Sequence, residues 1–131
     1  MIFHIYIGPP GCGKTFLASK HLEEFGGYLI DDIKSMSEID LAVSLERDNI
    51  FITDPHLCLV DNRFLLKDKI LSLDSSAIIK WFFFENNIYK CWKNIQHRND
   101  NRNMSIESVK YFSKIYTVPS SHPIIEIQNV N

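Results

Sequence analysis

Apolar and polar positions alternate along the chain in two rhythms, short continuous runs and longer helical stripes. Residues 2–7 form an apolar run ended by Gly8, the pattern of a strand buried on both faces of a parallel sheet. Across 14–25, Leu17, Ala18, His21, Leu22 and Phe25 recur at helical spacing, and Gly26-Gly27 supplies a C-terminal stop. Tyr28-Leu29-Ile30 reads as a second strand ending in Asp31-Asp32. Ser37 is placed to cap a helix striped by Ile39, Leu41, Ala42 and Leu45. A third strand at 50–53 closes on Asp54-Pro55, and 63–73 reads as a helix carrying Phe64, Leu65, Leu66, Ile70, Leu71 and Leu73. Residues 77–84 are rich in β-formers and long enough for a central strand. Ile88, Cys91, Trp92 and Ile95 then share one face of a helix over 88–98. After a polar break at 99–103, Ser105, Glu107 and Ser108 open a helix running to Tyr116, and 124–127 gives a last strand. This alternation predicts a single α/β domain over residues 1–131, a parallel sheet with right-handed crossovers and helices on both faces.

Composition narrows the class. The 131 residues are 45% hydrophobic and 23% charged, with only five Gly and five Pro, which fits one domain with a real core and excludes disordered and collagen-like chains. No apolar run approaches the roughly 18 to 20 residues of a membrane span. The short N-terminal run has no basic lead and meets Gly-Pro-Pro-Gly, so it does not read as a signal peptide. Cys12, Cys58 and Cys91 are odd in number and lack CxxC or zinc spacing, the expectation for a reducing, cytoplasmic setting without structural disulfides. The net charge of -2 hides an asymmetry. Residues 1–79 hold seven Lys and Arg against twelve Asp and Glu, whereas 80–131 hold seven against four. The basic second part suggests a local anion site, although a solvated helix face has the same composition.

The strongest signal is Gly8-Pro9-Pro10-Gly11-Cys12-Gly13-Lys14-Thr15, which satisfies G-x-x-x-x-G-K-[ST] between a predicted strand and a predicted helix. Glycines let such a loop wrap phosphates, and its N–H groups converge where a helix dipole favours anions. Lys14 is placed to reach β- and γ-phosphates, the Thr15 hydroxyl to ligate Mg²⁺, and Phe16 follows at the start of the helix. ATP with Mg²⁺ is the ligand this motif predicts. The size of the chain leaves little room for switch regions or mechanochemical subdomains, which favours a small kinase.

Two acidic strand ends would share the carboxyl edge of the sheet with that loop. Asp31 or Asp32 could take the proton of an acceptor hydroxyl, and Asp31 or Asp54 could hold Mg²⁺ through water. A helix cap or turn is the competing reading for Asp31-Asp32, and an Asp-Pro turn for Asp54. In His97-Arg98-Asn99-Asp100-Asn101-Arg102-Asn103, two arginines four apart suit a lid closing over a triphosphate. Trp92 fits the core. Tyr111, Phe112 and Tyr116 could stack a base, with packing the commoner role. Of the five histidines, only His97 is placed to meet phosphate.

On these residues the chain resembles the small P-loop kinases, above all the kinase domain of bacteriophage polynucleotide kinases, over nearly its whole length. The resemblance rests on the Gly8-to-Thr15 loop, on Tyr28-Leu29-Ile30-Asp31-Asp32-Ile33-Lys34, on Ile50-Phe51-Ile52-Thr53-Asp54, and on 78–116. It implies a P-loop NTPase-type three-layer sandwich with sheet order 2-3-1-4-5. It also implies Asp31 as general base, with Asp32 as the second candidate, and Arg98 and Arg102 as lid arginines. Lys34 stands where that family usually has an arginine gripping an acceptor phosphate. Phage kinases that phosphorylate the hydroxymethyl group of 5-hydroxymethyluracil in DNA are similar to the same degree, especially over 81–116. Either resemblance implies a nucleic-acid hydroxyl as acceptor and the host cytoplasm as the setting. A small-molecule kinase and an ATP-dependent binding module are the readings from other classes.

Overall fold

In the computed structural model, residues 1–98 and 105–128 are described. Five strands, β1 (Ile2–Ile7), β2 (Tyr28–Asp31), β3 (Asn49–Thr53), β4 (Ile78–Phe84) and β5 (Ile124–Ile125), form one parallel sheet in the order β2-β3-β1-β4-β5. Helices α1 (Lys14–Phe25), α2 (Ser37–Ser44), α3 (Val60–Leu73), α4 (Ile88–His97) and α5 (Ile106–Ile115) surround it. A short 3-10 helix, Pro55–Cys58, links β3 to α3.

The two faces of β1 explain the layering. Phe3, Ile5 and Ile7 face a core built with Ile30, Ile50, Ile52, Ile39, Leu66 and Ile70. His4 and Tyr6 lie on the opposite face. There Tyr6 joins Phe51, Ala18, Phe84 and Cys91 in a second core, and His4 stacks on Phe51 with ring centroids 4.6 Å apart. Every one of these apolar side chains is buried, and each Ile, Leu and Phe contributes about 1.5–3 kcal/mol in transfer free energy. Helix α5 serves both layers, through Val109 in one core and Phe112 and Tyr116 in the other. Phe112 and Tyr116 are therefore packing groups, while Tyr111 is exposed.

Three boundaries depart from the sequence pattern. Ser37 is the first residue of α2, not its cap. The Glu38 carboxylate instead accepts the N–H groups of Lys34 (2.6 Å) and Ser35 (3.3 Å) and so fixes the helix entry. Helix α3 begins at Val60 rather than at 63, because the 3-10 turn brings Asn62 Nδ2 onto the His56 carbonyl at 2.8 Å. Strand β5 stops at Ile125. Beyond it Ile127 N–H donates to Glu85 Oε1 (3.0 Å), a side chain standing where a neighbouring strand would be. Lys90 holds that carboxylate at 2.7 Å and lowers its pKa.

No helix among the described residues is long and apolar enough to cross a membrane. The three cysteines are buried free thiols. Desolvation pushes Cys58 and Cys91 up to about 12 and also raises Cys12.

Candidate functional site at the carboxyl edge of the sheet

Strand β1 is central, and the chain leaves its end through the turn 8–13. Cys12 N–H donates to the Pro9 carbonyl at 3.2 Å, and Cys12 is buried beneath the turn. Gly11 (φ 87°) and Gly13 (φ 101°) occupy left-handed backbone that costs other residues steric strain. At Gly11 there is a second requirement. A Cβ there would lie 2.4 Å from the Cys91 carbonyl oxygen and 2.9 Å from Ile95 Cγ1, so α4 sits directly against the turn. Gly13 starts α1, and no side chain caps that start. The first N–H groups of a helix lack intrahelical partners, which makes the turn a donor-rich concavity.

Lys14 is 7% exposed and folds over the turn, its Nζ donating to the Pro9 carbonyl at 3.3 Å. The Thr15 hydroxyl donates to Asp31 Oδ1 at 3.2 Å, and the Thr53 hydroxyl donates to the same oxygen at 2.6 Å. Register accounts for this meeting, since Asp31 and Thr53 are paired across β2 and β3. The sequence-predicted Lys14, Thr15 and Asp31 are thus brought together. Thr53 was missed, although its place one residue before a strand-end Asp was a usable signal.

Asp54 is only 4% exposed and holds backbone on two sides. Its Oδ1 accepts His56 N–H and His56 Nδ1–H, both at 2.8 Å, and its Oδ2 accepts Ile33 N–H at 2.9 Å. Asp54 therefore ties the end of β3 to the segment after β2, in addition to capping the 3-10 turn. His56 also lies edge-on to Phe112, with centroids 5.2 Å apart. Sequence reading placed no role on this histidine, and the two-residue spacing after a capping Asp was the sign to follow. Asp32 has φ 63° and donates its N–H to the Thr53 carbonyl at 2.7 Å. Lys34 is exposed, and Phe16 is 77% exposed on α1.

On the other side of the turn, Asn94 is buried in α4. Its Nδ2 donates to the carbonyls of Gly11 (3.0 Å) and Gln128 (2.9 Å). This polar residue on the buried stripe of an amphipathic helix also escaped notice. Arg98 ends α4 half-buried, close enough for its charge to oppose the rise in the Cys12 thiol pKa. Arg102, with the polar segment 99–104, lies outside the described residues.

Two buried groups brace the edge from behind. The Tyr116 hydroxyl donates to the Phe84 carbonyl at 2.5 Å, with the Ile7 carbonyl at 3.2 Å. The Arg63 guanidinium donates to the carbonyls of Leu57 (2.7 Å), Cys58 (2.9 Å) and Thr117 (2.9 Å) and lies 5.1 Å from the Phe83 ring centroid. The resulting edge combines a cation, two hydroxyls and carboxylates beside an uncapped helix start. Its oxygen-only donor set suits a hard divalent cation such as Mg²⁺.

No model of a known protein family matches the sequence. Over 120 residues the chain is 36% identical to the uncharacterized protein R277 of Acanthamoeba polyphaga mimivirus, an overlap covering 87% of this chain and 85% of the viral one. The chain belongs to the same family as that mimivirus protein.

Proposed function

We propose that the chain is a P-loop kinase that transfers the γ-phosphoryl group of ATP, with Mg²⁺, to a hydroxyl of a nucleic acid. The reading covers a polynucleotide 5′-hydroxyl and the hydroxymethyl group of 5-hydroxymethyluracil in DNA. The observation that carries it is the hydrogen bond from Thr15 to Asp31 beside Lys14. It joins the end of the Gly8-to-Thr15 motif to the carboxylate at the end of β2, two strands away in the sheet.

The residues present fit both ligands. Left-handed Gly11 and Gly13 allow the tight turn, and the missing Cβ of Gly11 lets α4 pack against it. The amides of 11 and 13–15 would face phosphate oxygens, and Lys14 would exchange the Pro9 carbonyl for them, while the Cys12 N–H stays on that carbonyl. Thr15 would hold Mg²⁺ directly, with Asp31 or Asp54 behind it, and the metal supplies charge neutralisation on the phosphates. Asp31 would accept the acceptor's proton as the acceptor oxygen bonds to the γ-phosphorus and the bond to ADP breaks. Thr15 and Thr53 fix the direction of that carboxylate. Asp32 is the second candidate for this proton. Arg98, with Arg102, would neutralise charge on the moving group, and Lys34 would meet an acceptor phosphate. Alignment and electrostatics supply the rate, without covalent catalysis.

A net charge of -2 favours few backbone contacts, because long nucleic acids demand many cations. A small-molecule acceptor is therefore the second reading. The test is incubation with γ-labelled ATP, Mg²⁺ and four acceptors: 5′-hydroxyl DNA, 5′-hydroxyl RNA, end-blocked DNA containing 5-hydroxymethyluracil, and free nucleosides. Label on a polynucleotide is the expected result. Label on nucleosides alone transfers the function to the second reading. Partner binding that requires ATP, with no labelled product, makes the chain a binding module.

A further inference from the structure

We propose that Asn94 is a positioning residue for nucleotide binding, holding the 8–15 turn in the form that can receive phosphate. The inference rests on the reading of that turn as the ATP site. A peptide group has its C=O and N–H on opposite sides. In the Gly11–Cys12 peptide, the carbonyl points to Asn94 Nδ2 at 3.0 Å and the N–H points to the Pro9 carbonyl at 3.2 Å. Rotating this peptide would turn the Gly11 carbonyl against the Pro9 carbonyl, break both bonds together and change the shape of the turn. Glycine at position 11 permits such rotation, since its backbone meets little steric resistance. The hydrogen bonds from Asn94 and from the Cys12 N–H oppose it, and the first of them reaches the turn from another element.

The anchor is well suited to this work. Asn94 is 3% exposed, so a donor lost there is not replaced freely by water. The same Nδ2 group reaches the Gln128 carbonyl at 2.9 Å, in the segment that Glu85 and Ile127 fasten beyond β5. The α4 backbone lies too close to Gly11 for the turn to shift sideways. One amide therefore couples three pieces of chain, and the turn's receptive form depends on it. A ligand that needs the receptive form binds more weakly in proportion to the fraction lost.

Calorimetry with Mg·ATP on the full chain, with Asn94→Leu and Asn94→Asp, tests this. Asn94→Leu removes the donors and weakens ATP about tenfold or more at every pH. Asn94→Asp keeps the shape but faces two carbonyls with a carboxylate. Its affinity relative to the parent falls about tenfold near pH 8 and recovers in part near pH 5.5, where the buried carboxyl regains a proton and one donor. A merely structural role predicts lowered melting temperature without that pH-dependent recovery. Equal affinity in parent and both variants overturns the role of Asn94 while leaving the ATP site intact. Absence of heat in the parent overturns the ATP site itself, and this inference with it.

Discussion

The two ends of the sheet hold similar side chains and put them to different use. At the amino end on the α1 face, Ile2, His4, His21, Phe25, Asn49, Lys80 and Phe82 line an open cavity of about 370 Å³. Among its polar groups His4 pairs with Asn49 at 2.9 Å, and His21 pairs with the Tyr6 hydroxyl at 2.6 Å. At the carboxyl end the pairs become a chain, in which Thr15 and Thr53 meet on Asp31 and Asp54 fastens Ile33 and His56. The larger difference lies in the backbone. Among the described residues, left-handed glycines run into a helix start only at the carboxyl end. The two ends thus share polar side chains, and the main chain separates them.

The sharpest way to break this contrast is at Lys14. Lys14→Ala should reduce ATP-dependent labelling by roughly 10²–10³-fold or more, whereas Lys80→Ala at the other end should leave it unchanged. Equal loss in both variants would remove the distinction. Asp31→Asn comes next, with transfer expected to fall about 10²–10⁴-fold while calorimetry finds ATP affinity nearly unaltered. Full activity in that variant moves the proton acceptor to Asp32.

Gly11→Ala probes the backbone side of the comparison. Its Cβ meets the Cys91 carbonyl, and we expect about 1–3 kcal/mol of destabilisation in urea titration together with weakened ATP binding. Tyr116→Phe should cost about 1 kcal/mol, because the carbonyl of Phe84 loses a buried donor. The smallest effect belongs to the amino end. Burial, with the Lys80 and His21 charges, lowers the His4 pKa despite the Asn49 hydrogen bond. Below about pH 6.5 the unfolded chain takes a proton that folded His4 resists. Stability should therefore decline as pH falls from about 6.5 toward the folded pKa. In His4→Gln, the drop in melting temperature between pH 7.5 and 5.5 should shrink; an unchanged drop would assign it elsewhere.

Much of this arrangement is legible in the amino-acid sequence. Apolar runs located the strands because a parallel sheet buries both faces, and the Gly8-to-Thr15 spacing located the turn because each fixed residue answers a backbone need. Asp31, Lys14 and Thr15 followed from strand ends and motif. What escaped were residues whose role depends on register or on distant packing. Thr53 reaches Asp31 only through the β2–β3 pairing, and Asn94 meets Gly11 only because α4 crosses the turn. Ser37 lies inside the helix rather than at its cap, and the entry is held instead by Glu38 on the N–H groups of Lys34 and Ser35. The early end of β5 reflects a side chain, Glu85, acting as strand partner, which no local pattern encodes.

The wide separation of the anchors has a consequence for biosynthesis. Tyr116 and Ile7 stand 109 positions apart, and Asn94 and Gly11 stand 83 apart. At about 5–20 residues per second, roughly 5 to 20 s pass between emergence of the first strand from the ribosome and arrival of the tyrosine that braces its end. Until Asn94 emerges the nascent turn lacks both supports, and until Tyr116 emerges it lacks one, so the turn should settle late relative to the strand it follows.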